Sequence, residues 1–262
     1  MKLTKHHGLG NDFLVVFHPD IADLAALARR LCNRTRGIGA DGLLVGESVE
    51  GASAAMVLYN ADGSRAEMSG NGIRCFAQAL AARRGDLSSQ SIVTDAGVRR
   101  VELQPTEDPL TVLATVEMGE VVEIGAPAGW VDLGANPDRP VAHLAVGHPH
   151  TVVGVEDVGA VDLQSLGALV PDVNLEIVEP GPAPDAITMR VHERGVGITE
   201  ACGTGAVAAA WAAAQWGLVD ASTTELVVHM DGGSATVSLH HPEPGQATLT
   251  GPATHVATIE VQ

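Results

Sequence analysis

The stretch Glu67-Met-Ser-Gly-Asn-Gly-Ile-Arg-Cys75 places a small polar residue directly before a Gly-x-Gly step, and a helical pattern follows over residues 73–85. A polar side chain immediately before a helix is typical of an N-cap. The unpaired N–H groups and partial positive charge of a helix N-terminus also suit a reactive side chain or an anion. The stretch therefore predicts a helix that begins near Ser69. It leaves open whether Ser69 is a reactive group, a replacement for one, or only a cap.

A second stretch, Glu200-Ala-Cys-Gly-Thr-Gly205, repeats the pattern of the first. Both glycines align, and Cys202 takes the position of Ser69 at an offset of 133 residues (202 − 69), about half of the chain. Each motif leads into an alanine-rich helical pattern that ends in glycine, the residue that most often follows the last helical turn. Two half-chains with the same strand, glycine loop and helix predict a duplicated domain.

The remaining pattern predicts a mixed α+β fold in which strands dominate. Short β-like runs separated by turn signals predict strands at 14–17, 42–46, 54–60, 99–104, 110–119, 187–195, 225–230, 235–240 and 257–261. Periodic apolar patterns predict helices at 23–34, 73–85, 162–169 and 206–217. Prolines at 127, 137 and 140 indicate a boundary or an irregular crossing around residues 115–140.

Composition excludes several functional classes. The 262 residues include 32 acidic and 15 basic side chains, a net charge of −17, which argues against a nucleic-acid surface and against binding to anionic membranes. The N-terminal stretch has no apolar core typical of a signal peptide, and no run of ~20 apolar residues could span a bilayer. Three cysteines without a C-x-x-C pair favour a reduced, cytoplasmic protein.

The paired motifs suggest acid–base chemistry. A helix N-terminus can lower the pKa of a thiol from ~8.5 to ~3.5–7.5, so we expect Cys202 to act as a general base. Two such helix ends could bind one carboxylate, and an acid and a base at one α-carbon describe a two-base racemase. No P-loop, G-x-S-x-G or H-E-x-x-H motif is present. The histidine pairs lack carboxylates at ligand spacing, so we expect no metal.

These residues resemble the diaminopimelate epimerase family, which acts without pyridoxal phosphate in lysine and peptidoglycan synthesis. The resemblance runs nearly end to end and is carried by KHHGLGNDF (5–13), GIGADG (37–42), YNADGSRAEMSGNGIRCFA (59–77), GHPH (147–150), VNLE (173–176) and HERGVGITEACGTGA (192–206). It implies two similar α+β domains, each a sheet or barrel wrapped round a central helix, with the site in the cleft between them. The implied domains are 1–115 with a returning strand at 252–262, and 116–251. It also implies a homodimer that uses no cofactor.

Carried over by position, the family's two catalytic thiols fall on Ser69 and Cys202, and His150 matches a histidine that supports the site. Glu193 matches the partner of the substrate α-ammonium group. The resemblance implies that the substrate α-carboxylate binds the backbone N–H groups of Gly70, Asn71, Gly203 and Thr204. It assigns the rest of the substrate to Asn11, Asn60, Asn174 and Arg194.

Three positions depart from the family. Ser69 replaces a thiol, and a hydroxyl gives up its proton far less readily, each pKa unit being worth ~1.4 kcal/mol. His148 replaces the Asn of G-N-P-H, a distal substrate contact. Gly42 stands where some members carry a substrate-binding Gln. Cys75 cannot substitute for the missing thiol, because it lies six residues, ~9 Å, along the helix.

Several functions remain open on the sequence. The first is an epimerase of L,L-diaminopimelate in which Cys202 abstracts the proton and Ser69 exchanges the other one. The second is a racemase of a different amino acid, suggested by His148. The third is a variant with little turnover whose thiol was lost to serine. A binding or regulatory protein that kept the cleft is a fourth, and a hydrolase with Ser69 as nucleophile lacks a His–Asp partnership.

Overall fold

The computed structural model describes residues 1–130, 139–220 and 222–261. Pro137, one of the three prolines considered above, and Gln262, the end of the expected returning strand, lie outside these ranges. The chain forms two compact units. The first comprises Met1–Val116 and Thr250–Gln262, and the second comprises Glu117–Leu249. No helix within the described ranges is long and apolar enough to cross a membrane.

The first unit and its connection to the second contain eight strands and two helices. The strands are β1 (Lys2–Gly8), β2 (Asn11–Phe17), β3 (Gly42–Glu47), β4 (Ala54–Asn60), β5 (Arg65–Ala66), β6 (Gln90–Thr94), β7 (Gly97–Pro105) and β8 (Thr111–Glu120). The helices are α1 (Leu24–Cys32) and α2 (Gly70–Arg84).

The described residues of the remainder of the chain contain nine strands and two α-helices, with a short 3-10 helix at Val158–Ala160. The strands are β9 (Val122–Glu123), β10 (Val141–Val146), β11 (His148–Gly154), β12 (Asn174–Pro180), β13 (Ala186–Glu193), β14 (Gly197–Thr199), β15 (Glu225–Met230), β16 (Gly233–Leu239) and β17 (Gln246–Glu260). The helices are α3 (Leu163–Leu169) and α4 (Gly203–Trp216).

The first unit is a closed eight-stranded barrel around α2. Its strands pair in the order β17–β1–β2–β3–β4–β6–β7–β8, and β8 pairs with β17 to close it. Residues 70–81 of α2 are buried on every side, which is typical of a helix inside a core. By contrast, α1 packs on β3 and β4 through one face, which includes Leu27 and Leu31.

The second unit wraps paired strands around α4. The pairing order is β9–β10–β11–β12–β13–β15–β16, and α4 packs against β10, β11, β12, β13, β15 and β16. Small side chains dominate α4, and ten of its residues between Gly203 and Ala213 are buried. Helix α3 packs on β12, β13 and β14. The prediction of an α+β fold is confirmed.

The two units repeat one arrangement, which confirms the predicted duplication. β2 and β3 are parallel, β4 returns antiparallel, and the short β5 leads into α2. In the second unit β11 and β12 are parallel, β13 returns antiparallel, and the short β14 leads into α4. The parallel pairings β4–β6 and β13–β15 also correspond. Both central helices end at a glycine in the left-handed conformation, Gly85 (φ 80°) and Gly217 (φ 70°).

The predicted helices and strands all occur, but several strands were missed, including β1, β6, β10, β11 and β12. Polar residues interrupt the apolar alternation in these strands. In β1, His6 is buried because its two ring nitrogens meet Gln78 Oε1 and Thr4 Oγ1, each at 2.8 Å. In β11 and β12, His150 and Glu176 are buried against each other. A pattern that counts only apolar side chains cannot detect such strands.

Candidate active site

Ser69 caps α2 at its N-terminus, as predicted. Its backbone is extended (φ −135°, ψ 126°), and its Oγ accepts the N–H of Gly72 at 3.0 Å. A Cβ on Gly72 would lie 3.1 Å from the Cβ of Ser69, so glycine allows this side chain to fold over the first turn. Ser69 is half-buried. Because it is the N-cap residue, its hydroxyl lies at the positive end of the helix dipole.

A series of side-chain hydrogen bonds connects the N-terminus of α2 with Asn11 and Asp41. Arg74 Nη2 donates to Asn71 Oδ1 at 2.7 Å, and Asn71 Nδ2 donates to Asn11 Oδ1 at 3.3 Å. Asn11 Nδ2 in turn donates to Asp41 Oδ2 at 2.7 Å. The structure therefore brings together two of the predicted substrate-binding residues, Asn11 and Asn71, and fixes the orientation of both amides.

Arg74 is a fully buried cation in the first turns of α2. Besides Asn71, its guanidinium donates to the carbonyl oxygens of Gly70 at 3.2 Å and Pro252 at 3.3 Å. Burial lowers the pKa of Arg74 to about 10, so it remains charged at neutral pH. The N-terminus of α2 therefore has a permanent positive charge beneath it.

Asn60 and Gly42 lie opposite each other on β4 and β3. Asn60 Nδ2 donates to Ser64 Oγ at 3.0 Å within its own turn. This bond therefore does not connect Asn60 with the side chains of Asn11 and Asn71. A Cβ on Gly42 would lie 2.8 Å from the carbonyl oxygen of Tyr59. A glutamine at this position would therefore require a backbone shift, which accounts locally for the glycine.

Cys202 caps α4 in the same manner as Ser69 caps α2. Its backbone is extended (φ −128°, ψ 116°), and its Sγ accepts the N–H of Gly205 at 3.4 Å. Sγ also lies 3.5 Å from Thr204 Oγ1. The thiol is buried, with 5% of the residue exposed.

Glu193 lies at the end of β13 and reaches this thiol. Burial of its carboxyl is the main cause that raises the pKa of Glu193, and the negative charge of Glu176 adds to it. Hydrogen bonds from Thr199 Oγ1, at 2.5 Å, and from Cys202 act in the opposite direction. The predicted residues Glu193 and Cys202 are thus brought into direct contact.

The expectation that a helix N-terminus lowers the pKa of Cys202 is wrong for this structure. Burial raises the pKa of Cys202 well above its ordinary value, and the charges of Glu193 and Glu176 raise it further. Hydrogen bonds from Thr204 and Gly205 oppose this rise without overcoming it. A thiolate beside two carboxylates in a dry site is unfavourable, so the resting form at neutral pH is the thiol.

The other two cysteines are part of the core. Burial raises the pKa values of both Cys32 and Cys75 to about 12, and both are almost inaccessible. Buried thiols of this kind are inert. The expectation that Cys75 cannot replace the thiol absent at Ser69 agrees with its burial.

Glu176 is a residue that the sequence reasoning missed. His150 Nδ1 and Glu176 Oε1 are 2.7 Å apart, and neither side chain is exposed. Asn174 and Glu176 lie two residues apart on β12, so both side chains lie on one face of the strand. This spacing within the motif VNLE was the signal in the sequence that could have identified Glu176.

The remaining predicted residues surround the end of β13. Asn174 Oδ1 accepts the backbone N–H of Arg194 at 2.8 Å, and the side chain of Arg194 is exposed. His148 is half-buried at the start of β11. Gly203 and Thr204 form the first turn of α4, where N–H groups without helical partners occur.

Within the described parts of the chain, no group of three or more His, Cys, Asp or Glu side chains could hold a metal ion. The chemical groups that are present are a thiol, two carboxyls and an imidazole in the second unit. The first unit contributes a hydroxyl, amides and a buried guanidinium. Such groups can bind a zwitterionic molecule and move protons.

The sequence matches the family described as "Diaminopimelate epimerase" over residues 3–124 and 143–256. A diaminopimelate epimerase of Mycobacteroides abscessus is 38% identical over 296 residues, which cover 100% of this chain and 96% of the relative. That of Halothermothrix orenii is 37% identical over 290 residues, covering 100% and 98%. That of Desulfitobacterium hafniense is 35% identical over 280 residues, covering 98% and 96%.

Solved structures with the same fold are more distant in sequence. A Bacillus anthracis phenazine biosynthesis protein of the PhzF family superposes with a TM-score of 0.79 at 15% identity and covers 100% of this chain and 99% of its own. A hydroxyproline epimerase from Agrobacterium vitis, with bound trans-4-hydroxy-L-proline, gives 0.72 at 17% identity, covering 99% and 91%. At these identities the likeness concerns the fold alone.

Proposed function

The chain belongs to the diaminopimelate epimerase family, and from that premise we propose that it converts L,L-diaminopimelate to the meso isomer by removing and returning one α-proton. It is an enzyme of the epimerase type, and that activity belongs to lysine biosynthesis. The observation that carries the proposal is the correspondence of Ser69 and Cys202. Each caps the central helix of one of two repeated units, with nearly the same backbone conformation.

We assign the two proton transfers to these caps. Cys202, as a thiolate, removes the α-proton, and Ser69 returns a proton from the other face, which inversion requires. The negative charge that develops on the substrate carboxylate is stabilised by backbone N–H groups at the two helix ends. Those groups belong to Gly70, Asn71, Gly203 and Thr204.

The raised pKa of Cys202 makes its activation part of the mechanism. The thiol is in contact with Glu193, whose pKa is also raised, so the carboxylate can accept a proton that leaves Sγ. A substrate α-ammonium group beside Glu193 would add a positive charge and favour the thiolate further. Substrate binding and thiolate formation are therefore coupled in this proposal.

The distal end of the substrate is assigned to polar residues of both units. Arg194 is exposed and suits a carboxylate, because its guanidinium can bind both oxygens. Asn11 and Asn174 are held in fixed orientations by Asp41 and by the Arg194 backbone, respectively. Asn60 and His148 complete the proposed set.

Proton NMR of the protein with L,L-diaminopimelate in D2O tests the proposal. We expect the α-proton signal to disappear while signals of the meso isomer appear. Exchange without inversion would show that Cys202 abstracts while Ser69 does not deliver a proton, as in a variant with little turnover. No exchange would contradict the proposed substrate, and His148 would then direct the search to other amino acids.

We further propose a homodimer formed by the first unit. On neighbouring strands β8 and β17, Thr111 and Thr115 hydrogen-bond through their hydroxyls to Thr254 and Thr250 at 2.8 Å. Exposed Leu113 lies between them, and Val256 is exposed on β17. The exposed Leu113 and Val256 give this face apolar side chains that favour self-association. Sedimentation of the wild type and of Leu113→Glu tests this, and we expect dimer and monomer, respectively.

We also propose that the enzyme works in the reducing cytoplasm. All three cysteines are free, and all three are buried. Free cysteines are typical of proteins in compartments that keep thiols reduced.

A further inference from the structure

The second unit buries a titratable pair that the proposed proton transfers do not use. His150 on β11 and Glu176 on β12 are both completely inaccessible, and Nδ1 lies 2.7 Å from Oε1. Their other polar atoms, His150 Nε2 and Glu176 Oε2, have no hydrogen-bond partner among the residues that the structure describes. Burying such groups without full pairing is costly, so a reason for their presence is expected.

The fold itself does not require this pair, because the first unit builds the same framework with apolar side chains. His150 pairs with Asn174 between parallel strands, as Phe13 pairs with Gly42 in the first unit. The Gly42 and Asn174 registers match, so Glu176 corresponds to Leu44, which is fully buried. The repeated positions therefore hold Phe and Leu in one unit and His and Glu in the other.

The pair lies against the end of α4 that carries Cys202. A Cβ on Gly205 would lie 2.6 Å from Glu176 Oε1 and 3.2 Å from Cys202 Sγ, so Gly205 separates the carboxylate from the thiol. The charge of Glu176 raises the pKa values of Cys202 and Glu193, while His150 lowers that of Glu193. Glu176 thus acts electrostatically on both the thiol and the carboxyl of Glu193, and His150 acts on that carboxyl.

Charge balance shows what such a pair can do. If Glu176 and Glu193 were both ionised, a thiolate at Cys202 would be a third negative charge in a dry site. The imidazole of His150, which interacts with Glu193, supplies a nitrogen that can offset this charge. The residue of β10 paired with His150 is Leu144, which does not titrate, so Glu176 and Glu193 are the titratable groups that face this imidazole.

We propose that Glu176 is a positioning residue that accepts the Nδ1–H of His150 and so keeps Nε2 as the nitrogen that takes up the proton of Cys202 by way of Glu193. The S–H bond breaks as Glu193 takes the proton, and an N–H bond forms at Nε2 as Glu193 passes it on, giving a thiolate and an imidazolium held against a carboxylate. The reverse transfer restores the thiol, and no electrons are exchanged. The inference rests on the proposed function, because that function gives the thiolate its task. The hydrogen bond between His150 and Glu176 can be tested without turnover.

The first test is the tautomer of His150, read by nitrogen NMR of protein with 15N-labelled histidine. The signal is assigned by its loss in His150→Phe. We expect Nδ1 protonated and Nε2 bare in the wild type, and a shift to protonated Nε2 in Glu176→Gln, whose amide can donate to Nδ1. Protonated Nε2 in the neutral wild-type imidazole, or an unchanged tautomer in the variant, would overturn the proposal.

The second test is the steady-state kinetics of Glu176→Gln across pH. We expect kcat to fall on the order of 10²-fold, as for loss of a positioned acid–base group. KM should change little, and the pH dependence of kcat should shift. A structural role alone would lower stability and leave the pH profile of the folded enzyme unchanged, and that result would overturn the proposal.

The double variant Glu176→Leu/His150→Phe tests the proposal in a protein that should still fold, because it introduces the residues found at the corresponding positions of the first unit. Replacing both partners by apolar groups avoids an unpaired buried charge. We expect a folded protein with a comparable fall in kcat, and wild-type kcat would overturn the proposal. Gln78→Leu, which removes the partner of His6, a buried histidine of the first unit, is the matched control, and its kcat and pH profile should remain unchanged.

The two proposals fail in distinguishable ways. A wild type that does not epimerise diaminopimelate contradicts the proposed function, while the tautomer and its dependence on Glu176 still decide the present inference. A wild type that turns over normally with His150 in the other tautomer contradicts only the inference.

Discussion

The N-termini of α2 and α4 have the same backbone and opposite electrostatics. Ser69 and Cys202 differ by less than 10° in φ and by 10° in ψ, and each accepts the N–H of the glycine three residues later. Beneath Ser69 lies a buried guanidinium, whereas Cys202 is surrounded by two carboxyls, one of which is paired with an imidazole. Duplication has kept the main chain and changed the charges around it.

This difference indicates distinct tasks for the two ends. A positive environment favours anionic groups, such as a substrate carboxylate, near the end of α2. The carboxyls near Cys202, one of which is hydrogen-bonded to His150, suit a thiol that must lose and regain its proton. A serine in place of a second thiol is consistent with an asymmetric division of the chemistry.

The largest effect should follow removal of the thiol. We expect Cys202→Ala to slow exchange of the substrate α-proton with D2O on the order of 10³-fold, because a positioned base contributes about 10²–10⁴-fold. Ser69→Ala should instead slow inversion while exchange continues. Proton NMR measures both processes in one experiment.

Equal losses of exchange in the two variants would contradict this division of roles. The N-cap lost in Ser69→Ala costs about 1 kcal/mol of stability, so thermal unfolding of both variants provides the control. Exchange is compared at a temperature where both are folded.

The next effect concerns the buried cation. Arg74 corresponds to Val207 at the same 133-residue offset, so Arg74→Val gives α2 the residue of α4. We expect the free energy of unfolding to fall by roughly 3–4 kcal/mol, because removing a hydrogen-bonded group from a buried network is costly. The substitution removes the guanidinium hydrogen bonds to the carbonyl oxygens of Gly70 and Pro252. Denaturant unfolding measures the change.

Val207→Ala is the matched control for Arg74→Val, because it alters packing at the corresponding position without touching a buried hydrogen bond. A smaller loss in Arg74→Val than in this control would show that the guanidinium contributes nothing net to stability.

A slightly smaller effect should come from the pH dependence of His6, a buried histidine of the first unit. His6 is bonded to an amide, and burial lowers its pKa from 6.5 to about 4, with His255 and His7 adding to the shift. Above pH 6.5 both folded and unfolded states leave it neutral. As pH falls, the unfolded state binds a proton that the folded state refuses, so stability is lost. The loss from pH 7 to pH 4 is roughly 3 kcal/mol.

His6→Gln removes this titration and keeps hydrogen-bonding groups in place. Unfolding free energies of the wild type and the variant are compared at pH 7 and pH 4, and the difference between the two slopes isolates His6. Parallel slopes would show that His6 keeps an ordinary pKa in the fold.

Sequence alone predicted the α+β class, the central helices and the duplication, because glycine loops and alanine-rich helices leave clear periodic signals. It failed where buried polar groups replace apolar ones, as in β11 and β12, since His150 and Glu176 satisfy each other only in three dimensions. It also predicted a lowered pKa for Cys202 from the helix end alone. Burial and the carboxyls of Glu193 and Glu176 reverse that direction, because the fold brings both close to the thiol in a buried site.

The smallest effect should come from making the two caps alike with Ser69→Cys. The backbone at Ser69 matches that at Cys202, where a sulfur accepts the corresponding N–H at 3.4 Å, so a thiol fits the position. We expect inversion to accelerate by about tenfold, because a thiol transfers a proton more readily than a hydroxyl. Exchange that depends on Cys202 should stay constant. If inversion does not accelerate, proton transfer by the Ser69 hydroxyl does not limit the rate of inversion. In that case a residue other than Ser69 must account for the different roles of the two helix ends.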